Sequence, residues 1–183
     1  WRSLFVKSKL MAPSATRTHT YLFNQSTAIT SLPVLSIITA QANLTGPNGV
    51  TGIGGGIYSN SVWTVTAPGD YDNNLLFGLA WERPVSAELI RSADNGGFQI
   101  DCGLRVNGSA YTRPRYTTAS KFSYRLYFRS DYGDGKLDYP LFPTASAQRF
   151  DNIILRAGHN DITNPFIKDE LSRRLNAEMG QPS

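Results

Sequence analysis

The segment Lys121–Arg129 constrains the fold more than any other, because apolar and polar residues alternate along its whole length. One set is Phe122, Tyr124, Leu126 and Phe128, and the other is Lys121, Ser123, Arg125, Tyr127 and Arg129. Successive side chains of a β-strand point to opposite faces of the sheet. This period of two therefore predicts a strand with one apolar face and one cationic face.

Other segments also predict β-structure with frequent turns, in a chain that contains 16 glycines and 10 prolines. Leu32–Ile38 is a short apolar run rich in branched residues, which is typical of a buried strand. Trp81–Ile90 and Phe98–Val106 are predicted strands, and the Asp94–Gly97 segment between them predicts a tight hairpin turn. The glycine-dense segment 48–56 predicts a loop with close backbone approaches.

The end of the chain has a helical pattern. Apolar residues recur every four positions at Ile167, Leu171, Leu175 and Met179, which predicts one apolar stripe. Asp169 and Glu170 each stand four residues before an arginine, the spacing of a favourable pair on a helix. We therefore predict an α+β fold, in which a mainly antiparallel β-sheet precedes a C-terminal amphipathic helix.

The first residues differ in pattern from the rest. Trp1–Phe23 alternates imperfectly and is broken at Ala12-Pro13-Ser14, which predicts two strands that end a small β-sandwich. The polar stretch Asn24–Ser31 has the composition of a linker. We therefore predict a boundary between a β-sandwich-like module at residues 1–24 and a second domain at residues 25–183.

Positive charge is concentrated in one part of the chain, whose formal net charge is +4. Between Arg105 and Arg129 there are six basic residues and no acidic residue. Such a block either meets an anionic ligand or is a solvated surface. Aromatic residues interleave with it, a pattern that also fits single-stranded nucleic acid lying on a sheet. We do not favour nucleic acid as a partner, because the same aromatic residues are explained equally well as strand core.

Several classes of site and location are not supported by the sequence. The longest apolar stretch, Leu32–Ala42, is too short and too mixed to span a bilayer, so no membrane span is predicted. Cys102 is alone, so no intrachain disulfide forms and cysteine usage does not define the compartment. His159 has no second histidine, cysteine or acidic cluster at metal-ligand spacing, so no metal site is predicted.

Eight sequence phrases, in order from Leu32 to Ser183, resemble the CotH spore-coat kinase-like family. They are Leu32–Ile37, Gly56–Asn60, Trp81–Val85, Cys102–Gly108, Lys121–Leu126, Leu137–Phe142, Leu155–Asp161 and Met179–Ser183. Residues 1–24 resemble the end of a chitobiase C-terminal-like or fibronectin-like module. The resemblance implies an atypical protein-kinase-like fold, of which residues 25–183 would be the N-terminal lobe.

The resemblance also implies an activity. CotH-like proteins phosphorylate serine or threonine in exported or coat proteins, which implies ATP and Mg²⁺ as cofactors, an exported protein substrate, and a secreted or cell-surface location in bacteria. The family's catalytic and metal-binding acids follow the phrase that ends at Ser183, so no catalytic or metal-ligating residue is expected before it. A non-catalytic structural or adhesive surface module with the same fold is the alternative.

The segment after the second hairpin strand is the candidate phosphate loop. Gly108 allows close backbone approach to a phosphate, and Ser109 offers an amide and a hydroxyl donor. The spacing differs from the glycine-rich loop of protein kinases, and an ordinary hairpin turn is the alternative.

Basic residues near this loop complete the candidate nucleotide site. Lys121 matches the first lysine of the family's Lys-Lys-Ser-Phe-Arg phrase, which implies a contact with an α- or β-phosphate, although a surface lysine on an edge strand is the alternative. Arg105 and Arg125 either assist the phosphates or form ion pairs. Asp169 or Glu170 is a candidate partner for Lys121, but the helix dipole favours acids in a first turn regardless of function.

Overall fold

The structure, a computed structural model, describes residues 17–60, 62–108, 122–142, 147–157 and 167–179. Its helices are α1 (Thr27–Thr30), α2 (Gln41–Leu44) and α3 (Lys168–Glu178). Its strands are β1 (Val34–Ile38), β2 (Ile53–Gly54), β3 (Ile57–Ser59), β4 (Val62–Thr64), β5 (Tyr71–Asp72), β6 (Arg83–Arg91), β7 (Gly96–Val106), β8 (Tyr124–Tyr127), β9 (Leu137–Asp138), β10 (Arg149–Phe150) and β11 (Asn152–Leu155). Two 3₁₀ turns, Asn73–Leu75 and Leu79–Trp81, lie between β5 and β6.

Five strands form the main sheet in the order β1-β6-β7-β8-β11, and every neighbouring pair in it is antiparallel. The predicted hairpin is confirmed as β6 and β7, which pair from Arg83↔Leu104 to Arg91↔Gly96. Asn95 in its turn has φ +52°, a left-handed conformation that asparagine tolerates well. β1 lies at the edge of the sheet and is only partly buried, because its far side has no neighbouring strand in this sheet.

One face of this sheet makes the core. The side chains of Ala87, Cys102 and Leu126 are fully buried on it. Val50 from a turn and Leu137 from β9 cover this face and are also buried. Among the described residues, the buried apolar side chains are Val50, Val85, Ala87, Ile100, Cys102, Leu104, Val106, Leu126, Phe128 and Leu137. Burial of such side chains contributes about 1.5–3 kcal/mol each for the larger ones, so this face stabilises the fold.

The predicted alternation in β8 is confirmed for its described residues. Leu126 and Phe128 are buried and Tyr124 packs against the core, whereas Arg125 and Tyr127 lie on the opposite face. That opposite face also carries the alternate residues of β7. Arginines from the two strands are thus brought onto one surface, outside the core.

The glycine-rich part of the chain forms two short ribbons, β2–β5 and β3–β4, instead of a plain loop. Gly55 and Gly56 have φ +66° and +72°. A Cβ at Gly55 would collide with the carboxylate of Asp70, which accepts hydrogen bonds from the amides of Thr66 (2.7 Å) and Ala67 (2.8 Å). The close approaches predicted from the glycine density are therefore present.

The fold class is mainly antiparallel β-sheet with few helices. The predicted C-terminal helix is confirmed for Lys168–Glu178. Its apolar stripe does not pack on the sheet in the described structure, since Leu171 is 51% exposed and Met179 is 72% exposed. Of the segment Trp1–Phe23, in which two strands are predicted, residues 1–16 lie outside the described residues and residues 17–23 form no strand. The proposed module at 1–24 stays a prediction. Within the described part of the chain, no helix is long and apolar enough to cross a membrane.

Candidate anion-binding site

Arg105 and Arg125 face each other across strands β7 and β8. They are direct register partners, one step from the end of β7. The Nε atom of each is buried and has no hydrogen-bond acceptor among the described residues. Like charges placed directly opposite on neighbouring strands destabilise a sheet, and a buried donor without an acceptor costs free energy as well. An anion bound between the two guanidinium groups would relieve both penalties.

Aromatic rings hold the arginines in place. The Tyr127 ring has three guanidinium groups around it, with centroid distances of 5.5 Å for Arg105, 5.8 Å for Arg125 and 5.0 Å for Arg129. Arg105 also lies 4.9 Å from the ring centroid of Phe77. Cation–π attraction of roughly 0.5–2 kcal/mol per contact offsets part of the repulsion between the cations. These contacts order the guanidinium groups without using their N–H donors.

Glu82, directly before β6, neutralises only one of these three arginines. Its carboxylate is 1% exposed and accepts two hydrogen bonds from Arg129, one from Nε at 3.1 Å and one from a terminal nitrogen at 3.1 Å. The Tyr132 hydroxyl donates a third at 3.2 Å. The positive charges of Arg105 and Arg125 have no such carboxylate partner among the described residues, so this surface carries an excess of positive charge.

Gly103 lets Glu82 and Tyr132 come together over the sheet. A Cβ at this position of β7 would lie 2.5 Å from Cε2 of Tyr132 and 2.8 Å from Oε2 of Glu82. The absence of a side chain in the strand is therefore a packing requirement. We call Glu82, Gly103, Arg129 and Tyr132 the glutamate clamp, which joins β6, β7 and the segment after β8.

The protonation states in this region follow from burial and from the clamp. Burial, followed by the negative charge of Glu82, raises the pKa of Tyr132 to about 12, so its hydroxyl stays a donor at neutral pH. The hydrogen bond to Glu82 raises the pKa of Arg129. On the core face, burial raises the pKa of Cys102 to about 12, so this thiol stays protonated and is a poor nucleophile.

The candidate loop begins beside this arginine pair. Gly108 is exposed and has φ +66°, a left-handed conformation that favours glycine. The Asn107 amide donates a hydrogen bond to the Ser123 carbonyl at 2.7 Å, which ties the start of the loop to the beginning of β8. Ser109 and Lys121, the other two predicted contacts of the loop, lie outside the described residues.

The predicted acidic partners of Lys121 lie on α3. The Glu170 carboxylate accepts a hydrogen bond from Nε of Arg174 at 2.8 Å and another from Arg173. The i, i+4 pair predicted for Glu170 is therefore confirmed, and the bond from Arg174 lowers the pKa of the Glu170 carboxyl group. The side chain of Asp169 lies outside the described residues. Whether either acid pairs with Lys121 stays a prediction.

Three residues of this region were not singled out from the sequence. Phe77 is an exposed aromatic between the two 3₁₀ turns, and Glu82 and Tyr132 are polar residues outside any clear period. Glu82 lies within the phrase Trp81–Val85, which is a signal in the sequence, whereas Tyr132 lies between two phrases and has no such signal. Spacing alone indicates no contact between residues that are 50 positions apart.

The described residues contain no group of three or more His, Cys, Asp or Glu side chains arranged to hold a metal ion. Comparison of the chain with protein-family models, with curated proteins and with solved structures finds no significant match.

Proposed function

We propose that this chain is the phosphate-contacting lobe of an exported, CotH-like atypical protein kinase that phosphorylates serine or threonine in a surface or coat protein. The observation that carries the proposal is the cross-strand pair of Arg105 and Arg125, whose buried Nε donors have no acceptor among the described residues. Two converging guanidinium groups suit the oxygens of a phosphate, because their N–H donors can form charge-assisted hydrogen bonds.

Each residue has a distinct part in this proposal. Arg105 and Arg125 would hold phosphate oxygens, and Gly108 would let the loop backbone approach them. Ser109 would add donors, and Lys121 would add a compact positive charge on the strand that follows the loop. ATP, when bound, would supply the transferable phosphoryl group. The residues of this chain then serve to bind and orient the phosphates and to offset their charge.

Contacts among the resembling phrases support treating them as one functional unit. Glu82 belongs to the Trp81–Val85 phrase, and Gly103 belongs to the Cys102–Gly108 phrase. Both meet Arg129 or Tyr132 in the glutamate clamp. Arg105 and Arg125 also come from two different phrases. Residues from three of the eight phrases are therefore neighbours at a single cationic surface.

An adhesive or structural module is the second candidate, and the helix α3 favours it. Leu171 and Leu175 on its apolar stripe are 51% and 49% exposed. Exposed apolar surface of this kind is often an interaction site. Such a module would use the fold without binding nucleotide, so nucleotide binding separates the two candidates.

The test is a thermal-shift titration of the full-length protein with ATP and Mg²⁺, together with a phosphoryl-transfer assay on a serine-rich substrate. Lys121→Ala is the test variant. Lys136→Ala is the matched control, since Lys136 forms an exposed ion pair with Asp151. We expect wild type and Lys136→Ala to be stabilised by ATP and to transfer phosphate, and Lys121→Ala to lose both responses. No shift in the wild type would contradict the kinase proposal and favour the adhesive module.

A further inference from the structure

Three consecutive polar residues are buried where β5 runs into the first 3₁₀ turn. Asp72, Asn73 and Asn74 are only 4%, 3% and 2% exposed. Buried polar groups are normally hydrogen-bonded, and each exception needs a physical explanation. Here the side-chain oxygens of both asparagines are buried without a hydrogen-bond donor among the described residues.

The orientation of the Asn73 amide is determined by backbone carbonyl groups. Its Nδ2 donates to the oxygens of Pro47 at 2.9 Å and Gly49 at 2.8 Å. Reversing the amide would place its oxygen against these two acceptors, so Nδ2 has to face them. The Oδ1 atom therefore points to the other side, where none of the described groups donates to it.

The orientation of the Asn74 amide follows from the neighbouring carboxylate. Its Nδ2 lies 3.4 Å from Oδ1 of Asp72, and reversing the amide would bring two oxygens together. The other carboxylate oxygen of Asp72 accepts the Tyr58 hydroxyl at 2.5 Å. Oδ1 of Asn74 is consequently a second buried acceptor with no donor in the described structure.

We infer that the Asp72–Asn74 turn binds a hard cation of the Ca²⁺ class. The turn offers two buried amide oxygens that have no donor among the described residues, next to the carboxylate of Asp72. Ca²⁺ is bound in proteins by carboxylate and amide oxygens, in flexible geometry and often from loops. A cation would satisfy both amide oxygens at a position next to the Asp72 carboxylate, whereas a water molecule would satisfy them by donating hydrogen bonds and bring no charge.

The cation would link two parts of the glycine-rich region. Asn73 already joins them, because its amide nitrogen donates to the Gly52 carbonyl at 2.9 Å and its side chain holds Pro47 and Gly49. Binding only to the folded chain raises stability in proportion to the logarithm of ligand concentration. The inference does not depend on the kinase proposal, since it involves neither nucleotide nor the arginine pair.

The test uses the full chain, first treated with EDTA and then titrated with CaCl₂ in the absence of nucleotide. Melting temperature and Tb³⁺ luminescence are measured, with Tyr58 next to Asp72 as the sensitiser. At a Ca²⁺ concentration about 100-fold above Kd we expect a rise in melting temperature of about 5 °C or more. Added CaCl₂ should then displace Tb³⁺ and quench its emission.

Two substitutions make the test specific to the turn. Asn74→Leu removes the oxygen at nearly constant volume, so it should abolish the Ca²⁺ response. Asn74→Asp adds a charged ligand, so it should lower the stability of the cation-free protein and tighten Ca²⁺ binding by about tenfold or more. Asn152→Asp adds the same charge at an exposed position of β11 and should behave as wild type.

Three results would overturn the inference. The first is an unchanged melting temperature at millimolar Ca²⁺ in both wild type and Asn74→Asp, which would indicate ordered water only. The second is a Ca²⁺ response that survives Asn74→Leu. The third is an equal gain in Ca²⁺ binding from Asn152→Asp, which would indicate nonspecific attraction to added charge.

Discussion

Glu82 and Arg129 form a two-bond ion pair across 47 residues of sequence, in which the glutamate side chain is 1% exposed and the arginine side chain is 43% exposed. This asymmetry determines how the pair responds to substitution. Removing the arginine leaves a charge that water barely reaches, whereas removing the glutamate leaves an arginine that water can solvate.

The first prediction concerns this pair. Arg129→Ala should lower the free energy of unfolding by about 3 kcal/mol, because breaking a buried pair leaves an uncompensated carboxylate. Arg149→Ala is the control, since its bond to Asp138 is 3.5 Å long and both side chains are more than 60% exposed. The control should cost less than about 1 kcal/mol. Urea unfolding followed by circular dichroism measures both, and equal losses would contradict the prediction.

The second prediction concerns the glycine in the glutamate clamp. Gly103→Ala should destabilise the protein by about 1–3 kcal/mol, because the added methyl group would overlap Tyr132 and Glu82. At Gly133 an added Cβ would have its nearest neighbour 3.5 Å away, so Gly133→Ala should be tolerated. Chemical denaturation of the two variants side by side checks this difference. A Gly103→Ala variant as stable as Gly133→Ala would show that the clamp is not tightly packed.

The third prediction follows from the raised pKa of Tyr132, which is about 12 in the folded chain and about 10 for an unfolded tyrosine. Above pH 10 the unfolded chain loses this proton first, so ionisation favours unfolding and stability falls as pH rises toward 12. Below pH 10 the Tyr132 hydroxyl is protonated in both the folded and the unfolded chain, so its contribution to the free energy of unfolding is fully present. The stability advantage of wild type over Tyr132→Phe should therefore shrink between pH 10 and 12. Urea titrations at pH 9, 10 and 11 measure the difference in stability between wild type and Tyr132→Phe. A difference that does not change with pH would show that the pKa of Tyr132 is not raised.

The fourth prediction concerns the arginine pair without ligand. Arg125→Gln should raise the free energy of unfolding by about 0.5 kcal/mol, because it removes a cross-strand repulsion. Tyr127 still contacts Arg105 and Arg129 in the variant, so most of the cation–π attraction is retained. Salt screens the repulsion in the wild type, so the gain should be larger at low ionic strength. A loss of stability at low salt would mean that Arg125 is a structural residue.

The parts of the fold that could be predicted are those with a local signal. β8 was recognisable because Tyr124–Tyr127 alternates strictly, and the β6–β7 hairpin because a turn with Asn95 separates two β-rich segments. The β2–β5 ribbon pairs only Ile53 with Asp72 and Gly54 with Tyr71. Two residues per strand are too few to show an alternation of apolar and polar residues in the sequence.

The candidate site was only partly predictable for a related reason. Arg105 and Arg125 belong to strands that were predicted separately, and their pairing follows from strand register, which sequence spacing did not specify. The clamp of Glu82 with Tyr132 depends on a turn that returns the chain across the sheet. Helical periodicity predicts the apolar stripe of α3 but not whether the stripe packs against the sheet. In the described structure Leu175 on this stripe is 49% exposed.

The most direct test of the central claim is an equilibrium titration of the full-length protein with ATP at low and moderate salt. It compares wild type, the double variant Arg105→Gln/Arg125→Gln, and Arg149→Gln as a control that removes one exposed positive charge. The account predicts salt-sensitive binding by wild type and by Arg149→Gln, and at least about tenfold weaker binding by the double variant, since each charged hydrogen bond contributes roughly 1.5–3 kcal/mol. Equal ATP affinity in all three proteins would contradict it.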